Sequence, residues 1–198
     1  MNTLTGRIKA AVRRFRHDQD GLAAAEMVVV LPIYLFCILG TYTYWDAYDV
    51  VNRTQKAAYT VSDLVTRKQD EVTEDYVEGM YSTMEYLLGD SLPVKTRITS
   101  IYYDGSVDNR YEVIWSRSSY PGIPRLTTGT INEIISHLPE IADGDALVVV
   151  EATVDFTPII GSTWTAHLQL FEGQMKHVVV TRPRFLPKVC MEDLNCNT

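Results

Sequence analysis

Three patterns of apolar and polar residues follow one another along the chain. Residues 22–45 read LAAAEMVVVLPIYLFCILGTYTYW; their one charge is Glu26, and residues 27–45 carry none. At about 1.5 Å per residue this stretch can cross a hydrocarbon core of about 30 Å. A buried core helix of this composition would need a large domain around it, which 198 residues do not supply. After Trp45 the pattern becomes a stripe. Ala47, Val50, Thr54, Ala57, Val61 and Leu64 fall at heptad a and d positions, and Val51, Ala58 and Val65 widen the stripe. Asp49, Arg53, Gln55, Lys56 and Asp63 take the other faces, and no Gly or Pro interrupts. Together the two patterns predict one helix over residues 22–67, roughly 70 Å long. Residues 22–45 are its membrane span and residues 46–68 an amphipathic continuation. The stripe on that continuation suits packing on the protein's own head or on a neighbouring helix. Pro32 removes the backbone bond to the Val28 carbonyl and predicts a kink in the span, which membrane helices tolerate.

From residue 69 the periods mix. Thr73, Glu74 and Asp75 cap a second helix carrying Tyr76, Val77, Met80, Met84, Leu87 and Leu88 at helical spacing, with Gly89 as its stop. Residues 94–103 and 111–117 read as strands around a turn-rich DGSVDN, hence a hairpin. A short helix is expected around 132–137. Val148, Val150, Ala152, Val154 and Phe156 then alternate with Glu151, Thr153 and Asp155 until Pro158, and residues 175–182 can return antiparallel. Clean alternation predicts one covered sheet face and one solvated face. The fold class is α+β: a long N-terminal helix, and a head over residues 69–198 with a small antiparallel sheet packed on helices.

Charge orients this arrangement. Residues 1–21 hold five basic residues (Arg7, Lys9, Arg13, Arg14, Arg16) against two acids (Asp18, Asp20), a net of +3. The whole chain carries -7, so the remainder carries -10. Basic residues on one flank only place the N-terminus inside, and Tyr42, Tyr44, Trp45 and Tyr48 mark the outer interface. A head this acidic argues against nucleic-acid binding.

A conventional secretory signal has small residues after its apolar run. Here the run exits through Gly40-Thr41-Tyr42-Thr43-Tyr44-Trp45, and the small residues stand before it, in Gly21-Leu22-Ala23-Ala24-Ala25. Gly21, then Leu22, then Glu26 as the fifth residue beyond the glycine, after a basic leader and before an apolar run, resembles a type IV prepilin processing site. With Pro32 following, residues 13–68 resemble the TadE-like minor pseudopilins of the tight-adherence (Tad/Flp) pilus; over the head the likeness is loose. Met27 departs from the aromatic residue common at that position. The resemblance implies that a prepilin peptidase cuts between Gly21 and Leu22 on the cytoplasmic side. It implies that Glu26 meets the N-terminal amine of a neighbouring subunit during assembly. The implied setting is the bacterial inner membrane, with a periplasmic head. The implied partners are the lipid bilayer, the peptidase, other pilins or pseudopilins and the assembly platform.

Cys37 lies in the span and cannot reach the other two cysteines. Cys190 and Cys196, on a polar tail outside, are candidates for a disulfide closing a small loop worth roughly 2 kcal/mol; free thiols or an intermolecular bridge are the alternatives. On a loosely attached tail such a bridge would order the C-terminus without stabilising the core. The four histidines make no compact ligand spacing, and no GxSxG, P-loop or dinucleotide fingerprint occurs. DGSVD, residues 104–108, is too short for an EF-hand and reads as a turn. No enzyme, metal or cofactor is expected. Two function classes stand: a minor pseudopilin, and a generic single-pass anchor for a periplasmic interaction or sensor head.

The charge step predicts a topology. A reporter active only outside the cytoplasm should be active when fused after Thr198 and inactive when fused near Gln19; the reverse pattern would overturn the orientation.

Overall fold

The computed structural model describes residues 2–17, 20–89, 92–106, 110–158, 173–192, 194 and 196, with the backbone alone for residues 2–5, 7, 8, 17, 20 and 22–24. The tip of the expected 104–109 turn, residues 107–109, lies outside them. Two compact units make up the chain, Met1–Tyr44 and Trp45–Thr198.

The first unit contains helix α1 (Asn2–His17) and the first half of helix α2 (Asp20–Thr66). Helix α2 continues through Pro32. Its apolar side chains are uncovered within the protein: Val28 is 73% exposed, Leu31 55% and Phe36 64%. The hydroxyls of Thr41 and Thr43 donate to the carbonyls of Cys37 and Leu39, so neither is left unsatisfied in apolar surroundings. This helix is long and apolar enough to cross a membrane.

In the second unit the rest of α2 is a core element. Val50, Ala57, Ala58, Val61 and Val65 are all buried. Where the stripe turns polar, Thr54 donates back to the Val50 carbonyl and Ser62 shares a hydrogen bond with Thr181. At the C-terminal end of α2 the Thr66 carbonyl accepts from the Arg184 amide, one of the partners a buried helix terminus requires. Helix α3 (Glu74–Leu88) starts at Thr73, whose hydroxyl accepts from the Tyr76 amide, and ends at Gly89 with φ +81°, which glycine adopts without strain. It buries Val77, Met80, Met84 and Leu88.

Four antiparallel strands, β1 (Val94–Asp104), β2 (Arg110–Ser118), β3 (Ala146–Phe156) and β4 (Gly173–Thr181), stand in the order β2-β1-β3-β4. Ile98 faces Val150, which also faces Val179; these three join Val148, Ala152, Val154 and Phe156 in one core with α2 and α3. A bulge sets Val113 opposite Ile101 but Trp115 opposite Ser100. The extra residue, Ile114, packs against the helix-side core along with Trp115.

The second sheet face corrects the expectation of a solvated surface. The segment after β2 crosses it and makes two 3-10 turns, Ile131–Glu133 and Ile135–His137, in place of the single short helix. Leu126, Ile131 and Ile134 bury themselves on Ile101 and Val149, a second and smaller core. Glu151 and Thr153, polar by alternation, are therefore buried. Alternation distinguishes polar from apolar sides of a strand; it does not reveal that the polar side is roofed.

The tail is also better held than its polarity implies. The Val189 carbonyl accepts from the Trp115 indole and the Ser100 hydroxyl, and Val189 and Met191 are fully buried. Met191 forms a parallel bridge with Val72, whose amide donates to the Cys190 carbonyl at 2.8 Å. Cys190 and Cys196 are joined in a disulfide, Cα–Cα 5.9 Å. The loop it closes is anchored in the core rather than loosely attached.

The boundary of the head thus falls at Trp45, earlier than residue 69. A fragment of residues 45–198 should unfold cooperatively by circular dichroism, while a fragment of residues 69–198, deprived of five buried apolar α2 side chains, should show no transition. Equal cooperativity in the two would contradict the role given to α2.

Candidate functional site

Gly21 sits inside α2, exposed, and a Cβ built there meets nothing within 4 Å. Neither crowding nor a positive φ requires glycine at this position. In a helix it costs roughly 0.5–1 kcal/mol relative to alanine, so the fold gives no reason for it. Leu22 follows in the same helix, its side chain outside the described atoms. Glu26, about 7.5 Å along the axis from Gly21, is exposed, and no described residue pairs with it. Pro32 stands six residues later, exposed within the same helix.

On the head, the roof over the second sheet face is incomplete. It leaves a groove of about 470 Å³ walled by Tyr120 and residues 122–124 and floored by β1, β3 and β4. Register creates its chemistry. Arg97 on β1 lies directly across from Glu151 on β3. The guanidinium grips the carboxylate in bidentate fashion, Nε to Oε2 at 2.5 Å and Nη2 to Oε1 at 3.0 Å, and Nη1 donates to the Pro124 carbonyl at 2.8 Å. Lys176 of β4 reaches Glu151 Oε1 at 2.7 Å, and Glu133 lies 3.7 Å from Arg97. Beside this cluster Lys95 bonds Asp155 at 2.7 Å and sits over the Tyr120 ring, while Gln174 donates to the other Asp155 oxygen.

Burial pushes the Glu151 carboxyl up, but hydrogen bonds and charge from Arg97 and Lys176 outweigh it and hold the carboxyl below its ordinary value. Hydrogen bonds from Lys95 and Gln174 lower Asp155, and the bond to Asp155 raises Lys95. Each of these shifts moves a group away from neutrality. The groove presents fixed charges of both signs.

The sequence reading placed its candidates at Gly21, Leu22, Glu26, Pro32, Cys190 and Cys196; the structure brings only the two cysteines together. It missed the groove, although charged residues at the centres of two apolar strands, Arg97 and Glu151, were a usable signal. Comparison with protein-family models, curated proteins and solved structures gives no match.

Removing one partner of a buried ion pair costs about 3–5 kcal/mol, because the other charge stays buried and unpaired. Glu151→Gln should lower the head's stability to urea by that order, and Arg97→Met/Glu151→Leu by less. Glu151 contributes stability that is present above its unfolded value, about 4.3, and lost as pH falls through its lower folded value. His177, lowered by burial, favours the fold while neutral, so its contribution declines as pH drops below about 6.5. The raised values of Lys95 and Tyr81 make their contributions decline at high pH, so stability should be greatest between pH about 6.5 and about 10, and Glu151→Gln should flatten the acid limb of the urea-midpoint profile. An unchanged acid limb would remove Glu151 from it.

Proposed function

We propose that this chain is a minor pseudopilin-like component of a Tad/Flp-type pilus system, anchored in the bacterial inner membrane with its N-terminus cytoplasmic and its head periplasmic. One observation carries the reading: a 47-residue helix has near its start a glycine the fold does not need and a Glu26 that no described residue pairs with, and then exposes an unbroken apolar surface. Val28, Val29, Val30, Leu31, Ile33, Leu35, Phe36, Ile38 and Leu39 are each more than two-fifths exposed. Leaving such side chains in water rather than buried forgoes about 1.5–3 kcal/mol apiece, roughly 14–27 kcal/mol together. That is as large as, or larger than, the roughly 5–15 kcal/mol of a typical fold. A bilayer supplies the missing apolar surroundings.

Cleavage after Gly21 by a prepilin peptidase would create an ammonium at Leu22, about 6 Å along the helix from Glu26. An acid side chain is accommodated at modest cost at that shallow depth, where it is long enough to reach the headgroups. In assembly it meets the new amine of a neighbouring pilin or pseudopilin, a pair that is favourable only when both charges are present and close. The role is structural, with no chemistry asked of the head. A second reading, a membrane-anchored interaction or sensor protein without processing, is favoured by the charged groove alone, since a partner-binding head needs no pilus.

Sequencing of the membrane-bound protein should begin at Leu22 when a prepilin peptidase is present. Glu26→Gln should still insert and be cut, yet abolish piliation. An intact Met1 under those conditions moves the assignment to the second reading; full piliation in the variant removes the assembly role from Glu26.

A further inference from the structure

The leader is itself a helix, 16 residues from Asn2 to His17. Its apolar residues recur as Leu4, Ile8, Ala11, Val12 and Phe15. At 3.6 residues per turn these five fall within an arc of about 100°. Arg7 and Arg14 border that arc on one side, Lys9 and Arg16 on the other, and Arg13 lies opposite. The helix holds five basic residues and no acid. Val12 is 61% exposed and Phe15 85%, and Lys9, Arg13, Arg14 and Arg16 are exposed with them.

A helix of this length is marginal in water on propensity alone. Here Gly6 weakens it further, and no acid in its first turn balances the dipole. It needs a surface that covers the apolar arc and accepts cations along both borders. An anionic bilayer surface has that layout, with acyl chains below and phosphates beside them. Such a surface is within reach: three peptide steps, at most roughly 11 Å, separate His17 from the start of α2 at Asp20.

We infer that α1 is an interfacial helix that lies in the headgroup layer of an anionic membrane, Val12 and Phe15 in the acyl boundary and the arginines on lipid phosphates. This rests on the membrane anchoring proposed above and extends it. A helix held in the surface plane fixes the depth of the span behind it, and it keeps the Gly21–Leu22 bond at headgroup level.

Hydrogen exchange of the full-length protein in lipid nanodiscs tests this. In discs of phosphatidylcholine with one-third phosphatidylglycerol, amides of residues 6–17 should exchange at least tenfold more slowly than in discs of phosphatidylcholine alone. Val12→Asp/Phe15→Asp and Arg13→Gln/Arg14→Gln/Arg16→Gln should each erase the difference. Equal exchange in the two discs, or protection that survives both variants, overturns the inference. Residues 27–42 distinguish it from the anchoring itself. Slow exchange there with a fast leader removes only the interfacial helix; fast exchange there removes the anchor and the interfacial helix with it.

Discussion

Ala58, Val61 and Val65 reach at most 1% exposure against the inner face of the sheet, and the rest of the head is arranged around that contact. Strands β1 and β3 present Ile98, Val148, Val150 and Ala152 toward them, and α3 closes one side with Met84 and Leu88. The tail returns to the same core through Val189 and Met191. Because the buried stripe belongs to the helix that carries the apolar segment, anchor and head cannot be exchanged as separate modules. Residues 25–39 are exposed along their whole length, whereas residues after Trp45 are largely covered on one side. One covalent helix runs through both units, and around the boundary Tyr42, Tyr44, Trp45 and Tyr48 stand exposed, the residue types that favour a membrane interface.

The opposite sheet face follows a different logic. Its smaller apolar core, Ile101, Val149, Leu126, Ile131 and Ile134, covers one part; the remainder is held by charge. Arg97 and Glu151 are 4% and 3% exposed, a depth at which an ion pair gains little net stability over apolar residues of equal volume. Holding the pair in place takes the Pro124 carbonyl and Lys176 as well. The result is a rigid groove of mixed charge whose strongest contacts are internal.

Much of this was legible in the sequence because it depends on local period. The 20–66 helix, the Thr73 cap, the Gly89 stop and all four strands follow from spacing, and the observed bounds differ from the expected ones by at most a few residues. What depended on long-range covering was not legible. The stripe over residues 47–65 is compatible with a partner helix or with the protein's own sheet, and only the fold decides between them. Glu151 looked solvated because its strand alternates; the roof that buries it comes from a loop with no period at all. The tail looked loose because it is polar, yet Val189 and Met191, two apolar residues beside Cys190, lock it down. For the proposed processing site the position is reversed: Gly21 and Glu26 stand out in sequence, and the structure adds only that nothing crowds Gly21 and no described residue pairs with Glu26.

Cys37 offers the most direct test, since it is the free cysteine, lies exposed in the first unit, and needs no substitution. The account places it inside the bilayer while Cys190 and Cys196 are protected by their disulfide. In intact membranes a water-soluble maleimide should leave the protein unlabelled from either side, and the same protein dissolved in sodium dodecyl sulfate should take up one label per chain. Rapid labelling of Cys37 before the bilayer is dissolved would show an aqueous surface around the apolar helix and contradict the account.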